Sequence, residues 1–118
     1  MTLKLDTLLA DGVTIVACSG RIVFGEESSG LRESLKKLLG NTKHIVLNLS
    51  GVSYIDSGGL GTLVALYTTA RNAGGAVKLA RLTQRVGDLL QVTKLLTVFE
   101  VFNSEEEAVQ SFRKGIAA

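Results

Sequence analysis

Proline is absent from this chain, and cysteine and histidine occur once each. Without proline the turns fall to glycine, and thirteen glycines gather at the boundaries between patterned segments. The single cysteine, Cys18, cannot form an internal disulfide, and its apolar run Val13-Thr14-Ile15-Val16-Ala17-Cys18 makes it a buried strand residue. One cysteine and one histidine cannot supply a zinc site, and the acidic residues show no ligand-like spacing. A long basic run is also missing: the thirteen lysines and arginines are scattered and the net charge is only +2, so no nucleic-acid partner is expected. No apolar stretch approaches the ~20 residues of a membrane span. No basic start leads into an apolar leader either, so a cytoplasmic protein without a membrane partner is expected. Asn48-Leu49-Ser50 matches a glycosylation acceptor only formally, because it falls in a strand-like segment of a chain without a secretion signal.

What is present suits a folded core. Of 118 residues, 46% are apolar and 20% charged, enough for one compact domain over residues 1–118 and too few for two. Leu3 to Leu9 begins with the alternation of a half-exposed strand, Asp11-Gly12 offers a tight turn, and Val13 to Ser19 gives a second strand, antiparallel to the first. Gly20 to Gly25 reads as a loop. A helix then starts around Glu26-Glu27-Ser28-Ser29, carries Leu31, Leu35, Leu38 and Leu39 on one face, and ends with Lys36, Lys37 and Gly40. A central strand over about 44–49, apolar on both faces apart from Asn48, suits a position between helices. The next helix breaks at Arg71-Asn72-Ala73-Gly74-Gly75, and Ala76 to Ala80 is a strand expected to lie parallel to the central one. Thr83 caps a third helix through Val86, Leu89 and Leu90, with Gly87 inside it, and Val98 to Phe102 is a last strand. Ser104 and Glu107 form a capping box for a fourth helix with Ala108, Val109 and Phe112 on its apolar face and Arg113 and Lys114 at its end. The alternation argues for a small α/β domain with a mostly parallel sheet.

The stretch Tyr54-Ile55-Asp56-Ser57-Gly58-Gly59-Leu60-Gly61 stands between the central strand and a helix with Leu60, Leu63, Val64 and Tyr67 on its apolar face. Helix starts leave backbone N–H groups unpartnered and carry the positive end of the dipole. Ser57 is the hydroxyl at that place. It either caps the helix or is a site of modification, where a phosphate adds nearly two negative charges beside Asp56. Asp56 suits an Asx turn, Gly58 and Gly59 let another polypeptide or a phosphate approach the backbone, and Leu60 belongs to the core.

Catalytic readings fail on composition. A hydrolytic triad needs a base beside the nucleophile, and His44, the only histidine, starts the strand at whose far end Ser57 lies. A strand of five or six residues separates them by roughly 15 to 20 Å, and His44 is expected as a solvated strand-edge residue. Gly59-Leu60-Gly61-Thr62-Leu63-Val64 has Val64 where a dinucleotide fingerprint needs its third glycine. No cofactor is implied, although simple phosphate or nucleotide binding at the helix start stays open.

Asp56-Ser57-Gly58-Gly59-Leu60-Gly61 resembles the signature of the STAS domain family, specifically bacterial anti-sigma factor antagonists, in which an Asp-Ser-Ser/Thr-Gly-Leu-Gly loop holds a regulatory serine. The likeness extends upstream to His44-Ile45-Val46-Leu47-Asn48-Leu49-Ser50-Gly51-Val52 and downstream to Gly74-Gly75-Ala76-Val77-Lys78-Leu79. It implies a STAS-like fold with a mostly parallel sheet, an N-terminal antiparallel strand and about four helices. It also implies a binding protein, not an enzyme. By resemblance the partners are an anti-sigma factor that is itself a serine kinase, which the unphosphorylated loop binds, and a metal-dependent serine phosphatase that reverses the modification. Ser57 is then the phosphoacceptor, and Asp56, Ser57, Gly58 and Gly59 the docking loop. The chain departs from the family at Gly58, where a second hydroxyl is usual, and at Gly20-Arg21-Ile22-Val23, where Arg21 and Val23 replace acidic residues linked with partner recognition. Those departures favour a second reading, a constitutive STAS interaction module or ligand- or nucleotide-binding scaffold.

Overall fold

The computed structural model describes residues 3–117, with side chains as far as residue 113; Lys114 lies outside the described side chains. The elements run β1 (Lys4–Ala10), β2 (Val13–Ile22), α1 (Glu26–Leu39), β3 (His44–Ile55), α2 (Ser57–Asn72), β4 (Ala76–Ala80), α3 (Gln84–Val92), a 3₁₀ turn (Leu95–Thr97), β5 (Val101–Phe102) and α4 (Glu105–Ala117). Asp11 and Gly12 both take positive φ, 52° and 78°, which turns β1 back antiparallel onto β2 with Ala10 opposite Val13.

Strand order in the sheet follows chain order, β1-β2-β3-β4-β5, and every pairing from β2 onward is parallel. Right-handed crossovers that never reverse direction put all their helices on one face of a sheet. The larger core accordingly joins Leu31 and Leu35 of α1, Leu63 and Leu66 of α2, and Val86 and Leu90 of α3 to Val16, Leu47 and Leu79 of the sheet. Each such fully buried side chain contributes about 2 kcal/mol. The other face is left to α4, whose Ala108, Val109 and Phe112 meet Val13, Ile15, Val46 and Ala80.

Register decides which strand ends project from the sheet. β4 pairs with β3 only from His44 to Asn48, whereas β2 follows β3 as far as the pair Ile22 and Ile55. The C-terminal half of β3, residues 49–55, therefore projects as a ribbon with β2, beyond the reach of β4. On it Ser19, Arg21, Ser50, Ser53 and Tyr54 are exposed. Both strands are longer than their sequence pattern, which ends at Ser19 and near Leu49. The alternation is lost where register shifts fall at Ala17/Ser19 and Gly20/Arg21, with Gly20 at φ 121°. The expected loop from Gly20 shrinks to residues 23–25.

Two other expectations change. The strand expected from Val98 is reduced to Val101–Phe102, because Leu95–Thr97 turns and the Phe99 amide bonds to the Leu95 carbonyl at 3.2 Å. His44 is half-buried, not solvated, with its ring 4.6 Å from that of Phe112 on α4. Cys18 is buried as expected, and burial pushes its thiol up to about 12, far from a reactive thiolate.

Candidate functional site

The site forms where β3 runs directly into α2. Asp56, extended at φ −100° and ψ −177°, is the residue that caps the helix: its Oδ1 accepts the Gly59 amide at 2.8 Å. Ser57, for which the sequence left open a cap or a site of modification, is not the cap but the first helical residue, and its side chain is exposed. The shift by one position follows from β3 keeping extended geometry to Ile55, which leaves Asp56 as the last non-helical residue. The hydroxyl of Ser57 therefore carries no capping bond and points its chemistry outward.

Asp56 also reaches across to the loop after β2. Its two carboxylate oxygens accept the Phe24 amide at 3.1 and 3.2 Å. These donors, the Gly59 amide foremost, hold the Asp56 carboxyl below its ordinary value of 3.8, against a smaller opposing effect of desolvation. The loop is tied from its other side by Ser28, whose Oγ and amide both donate to the Val23 carbonyl, at 2.6 and 3.2 Å. Gly25 then opens α1 at φ 110°, a conformation that disfavours any side chain.

Gly58 and Gly59 do not leave the backbone open to a visitor. A Cβ at Gly58 would come within 2.6 Å of the Phe24 Cβ, and one at Gly59 would run into the Ile22 carbonyl oxygen. Both glycines are taken up by the chain's own close packing. Leu60 is buried as expected, and Thr62 is tied back to the Gly58 carbonyl at 3.1 Å.

Asp56, Ser57, Gly58 and Gly59 thus lie together at the tip of the ribbon, and Arg21 and Val23 belong to the same end. Arg21 is exposed and stands in register with Tyr54; Val23 is half-buried, and its carbonyl is engaged by Ser28. Sequence reasoning missed Phe24, which is 82% exposed and abuts Gly58. The available signal was a lone aromatic just before a loop glycine. Between the N-terminal turns of α1 and α2, Phe24, Arg32 and Thr62 help to line a shallow groove of about 400 Å³.

Chemically the arrangement offers an exposed primary hydroxyl at a helix start, beside a carboxylate whose oxygens accept backbone amides and far from the histidine. β3, twelve residues long, separates His44 from Ser57 by roughly 35 Å, more than the shorter expected strand implied. Among the described residues no three His, Cys, Asp or Glu side chains are grouped to hold a metal ion, and no helix is long and apolar enough to cross a membrane.

The sequence profile of the STAS domain matches residues 4–108. The anti-sigma-B factor antagonist of Bacillus subtilis (strain 168) is 34% identical over 80 residues, covering 68% of this chain and 73% of that protein. The anti-sigma F factor antagonist of Paenibacillus polymyxa is 26% identical over 111 residues, covering 92% and 94%. A crystal structure from Thermotoga maritima superposes with a TM-score of 0.84 at 23% identity, over 92% of this chain and 94% of that one, which shows a common fold.

Proposed function

The chain belongs to the STAS domain family, and from that premise we propose that it is an anti-sigma factor antagonist switched at Ser57. In the unmodified state the tip of the β2–β3 ribbon and the start of α2 bind a kinase-type anti-sigma factor, which frees a sigma factor and so regulates transcription indirectly. The kinase transfers the γ-phosphoryl group of ATP to Ser57 Oγ, the hydroxyl proton leaves to a base on the kinase, and ADP departs. The phosphorylated chain is then released. A metal-dependent serine phosphatase restores the hydroxyl by hydrolysis, yielding inorganic phosphate.

The observation that carries this reading is the exposed Ser57 hydroxyl, relieved of capping by Asp56 on a backbone fixed from both sides. A phosphate there adds nearly two negative charges and the bulk of three oxygens to a surface that has to fit flush against a partner. Asp56, kept ionised by its amide donors, adds to the repulsion of any acidic partner group. A loss of ~3 kcal/mol already lowers affinity more than a hundredfold. The reading is of a regulator that works by binding, in keeping with the family and with the antagonists it is similar to.

The test is intact-mass analysis after incubation with ATP and kinase-type anti-sigma factors from the same genome. One added phosphate is expected, absent in Ser57→Ala, which should still bind the factor, whereas Ser57→Asp should bind more weakly. Binding of both variants at wild-type strength would remove the loop from the interface. A second reading, a constitutive interaction module or ligand- or nucleotide-binding scaffold, is favoured by Arg21, Val23 and Gly58, the last of them covered by Phe24. It requires stable binding to the factor with no phosphate transferred.

A further inference from the structure

Phe24 packs over Gly58, the residue after Ser57, with 82% of its surface exposed, yet its backbone is held at several points. Its amide is held by both oxygens of Asp56, and the preceding carbonyl is held twice by Ser28. Its Cβ, Cα and Cδ1 lie so close over Gly58 that no side chain fits beneath them. An aromatic ring on a backbone pinned in this way needs little ordering when a partner takes it up, which is the condition under which one side chain dominates an interface. The ring does not stand alone. Tyr54, 43% exposed, lies at the same end of the ribbon, with Arg21 beside it in register. On the helix side Phe24 walls the shallow groove that Arg32 also lines, near the positive end of the α2 dipole. The acidic groups at this end are Glu26 and Glu27 in the first turn of α1, and Asp56, whose oxygens are occupied by amides.

We propose that Phe24 is the anchor by which the partner that reads Ser57 recognises this chain. The anti-sigma factor kinase offers an apolar pocket for the ring, rimmed by a carboxylate that meets Arg21. This rests on the function proposed above, and it assigns the partner's selectivity to residues outside the Asp56–Gly59 loop.

The experiment compares wild type, Phe24→Ala, Phe24→Leu and Arg21→Glu, measuring Kd for the anti-sigma factor and both kcat and KM for Ser57 phosphorylation. Phe24→Ala should raise Kd and KM at least about tenfold with kcat little changed, and Phe24→Leu should lose less. Arg21→Glu should weaken binding most at low salt. Since the ring is mostly exposed, the melting temperature of Phe24→Ala should match wild type. Wild-type Kd and KM in Phe24→Ala would overturn the proposal. So would a loss confined to kcat, which would make Phe24 a residue that presents Ser57 without docking. A wild-type chain that neither binds nor accepts phosphate would overturn the parent reading, and this proposal with it.

Discussion

Asp56 accepts the Gly59 amide at 2.8 Å and the Phe24 amide at 3.1 and 3.2 Å, so one carboxylate closes the start of α2 and ties it to the loop after β2. Those bonds favour the ionised form, and the folded-state pKa lies below the ordinary 3.8. A depressed carboxylate contributes stability that is fully present above the unfolded value and is lost as pH falls through the folded one. Asp56→Asn isolates this contribution, because asparagine also caps helices but does not titrate. In urea unfolding, wild type should exceed Asp56→Asn most at neutral pH, and the gap should close as pH drops below 3.8. A gap independent of pH would show that the charge plays no part in holding the loop. The sequence offered Ser57 as a possible cap and Asp56 as an Asx turn; that Asp56 takes the cap depends on how far β3 stays extended.

Along α2 the glycines at 58, 59 and 61 look alike in sequence and differ in their surroundings. Gly59 faces the Ile22 carbonyl, whereas a Cβ at Gly61 would meet nothing within 4 Å. Gly59→Ala should therefore destabilise by about 1–3 kcal/mol through overpacking. Gly61→Ala should stabilise by about 0.5–1 kcal/mol through helix propensity, both read as shifts of the urea midpoint. Equal effects at the two positions would mean that Ile22 does not press on the helix start. Close approach by glycine was legible in the sequence, but its object was not. The element that fills the space, the end of β2 with Phe24, is separated from Gly58 by the whole of α1 and β3. The same long-range pairing hid the true lengths of β2 and β3. Register shifts at Ala17/Ser19 and Gly20/Arg21, each with its extra residue on β3, broke the two-residue period, while the pairing of Ile22 with Ile55 kept both strands extended.

At the scale of the molecule, the order of elements and the parallel sheet were legible because hydrophobic period and turn glycines agree along the chain, and that agreement suffices for topology. The assignment of helices to faces follows from handedness and leaves α4 alone on the second face. Its apolar face, Ala108, Val109 and Phe112, was legible, but the lysine that ties it to the sheet was not. Lys78, 8% exposed, bonds to Ser111 at 2.8 Å and to Glu100 at 3.0 Å, with its ammonium 4.2 Å from the centre of the Phe112 ring. Lys78→Ala should cost about 2 kcal/mol. Lys78→Met, which keeps the stem while Glu100, at 64% exposure, returns to water, should cost less than half as much. Equal losses in the two variants would place the energy in the charge. Because α4 meets β2 and β3 in their N-terminal halves, at Val13, Ile15 and Val46, away from the end of β3 that leads to Ser57, neither variant should alter events at Ser57. A phosphate on Ser57 is expected to separate this chain from the proposed anti-sigma factor partner. The most direct measurement titrates the purified Ser57-phosphorylated chain and the unmodified chain against that factor. Affinity should fall at least a hundredfold on phosphorylation, about 3 kcal/mol. Equal affinity of the two forms would contradict the switch.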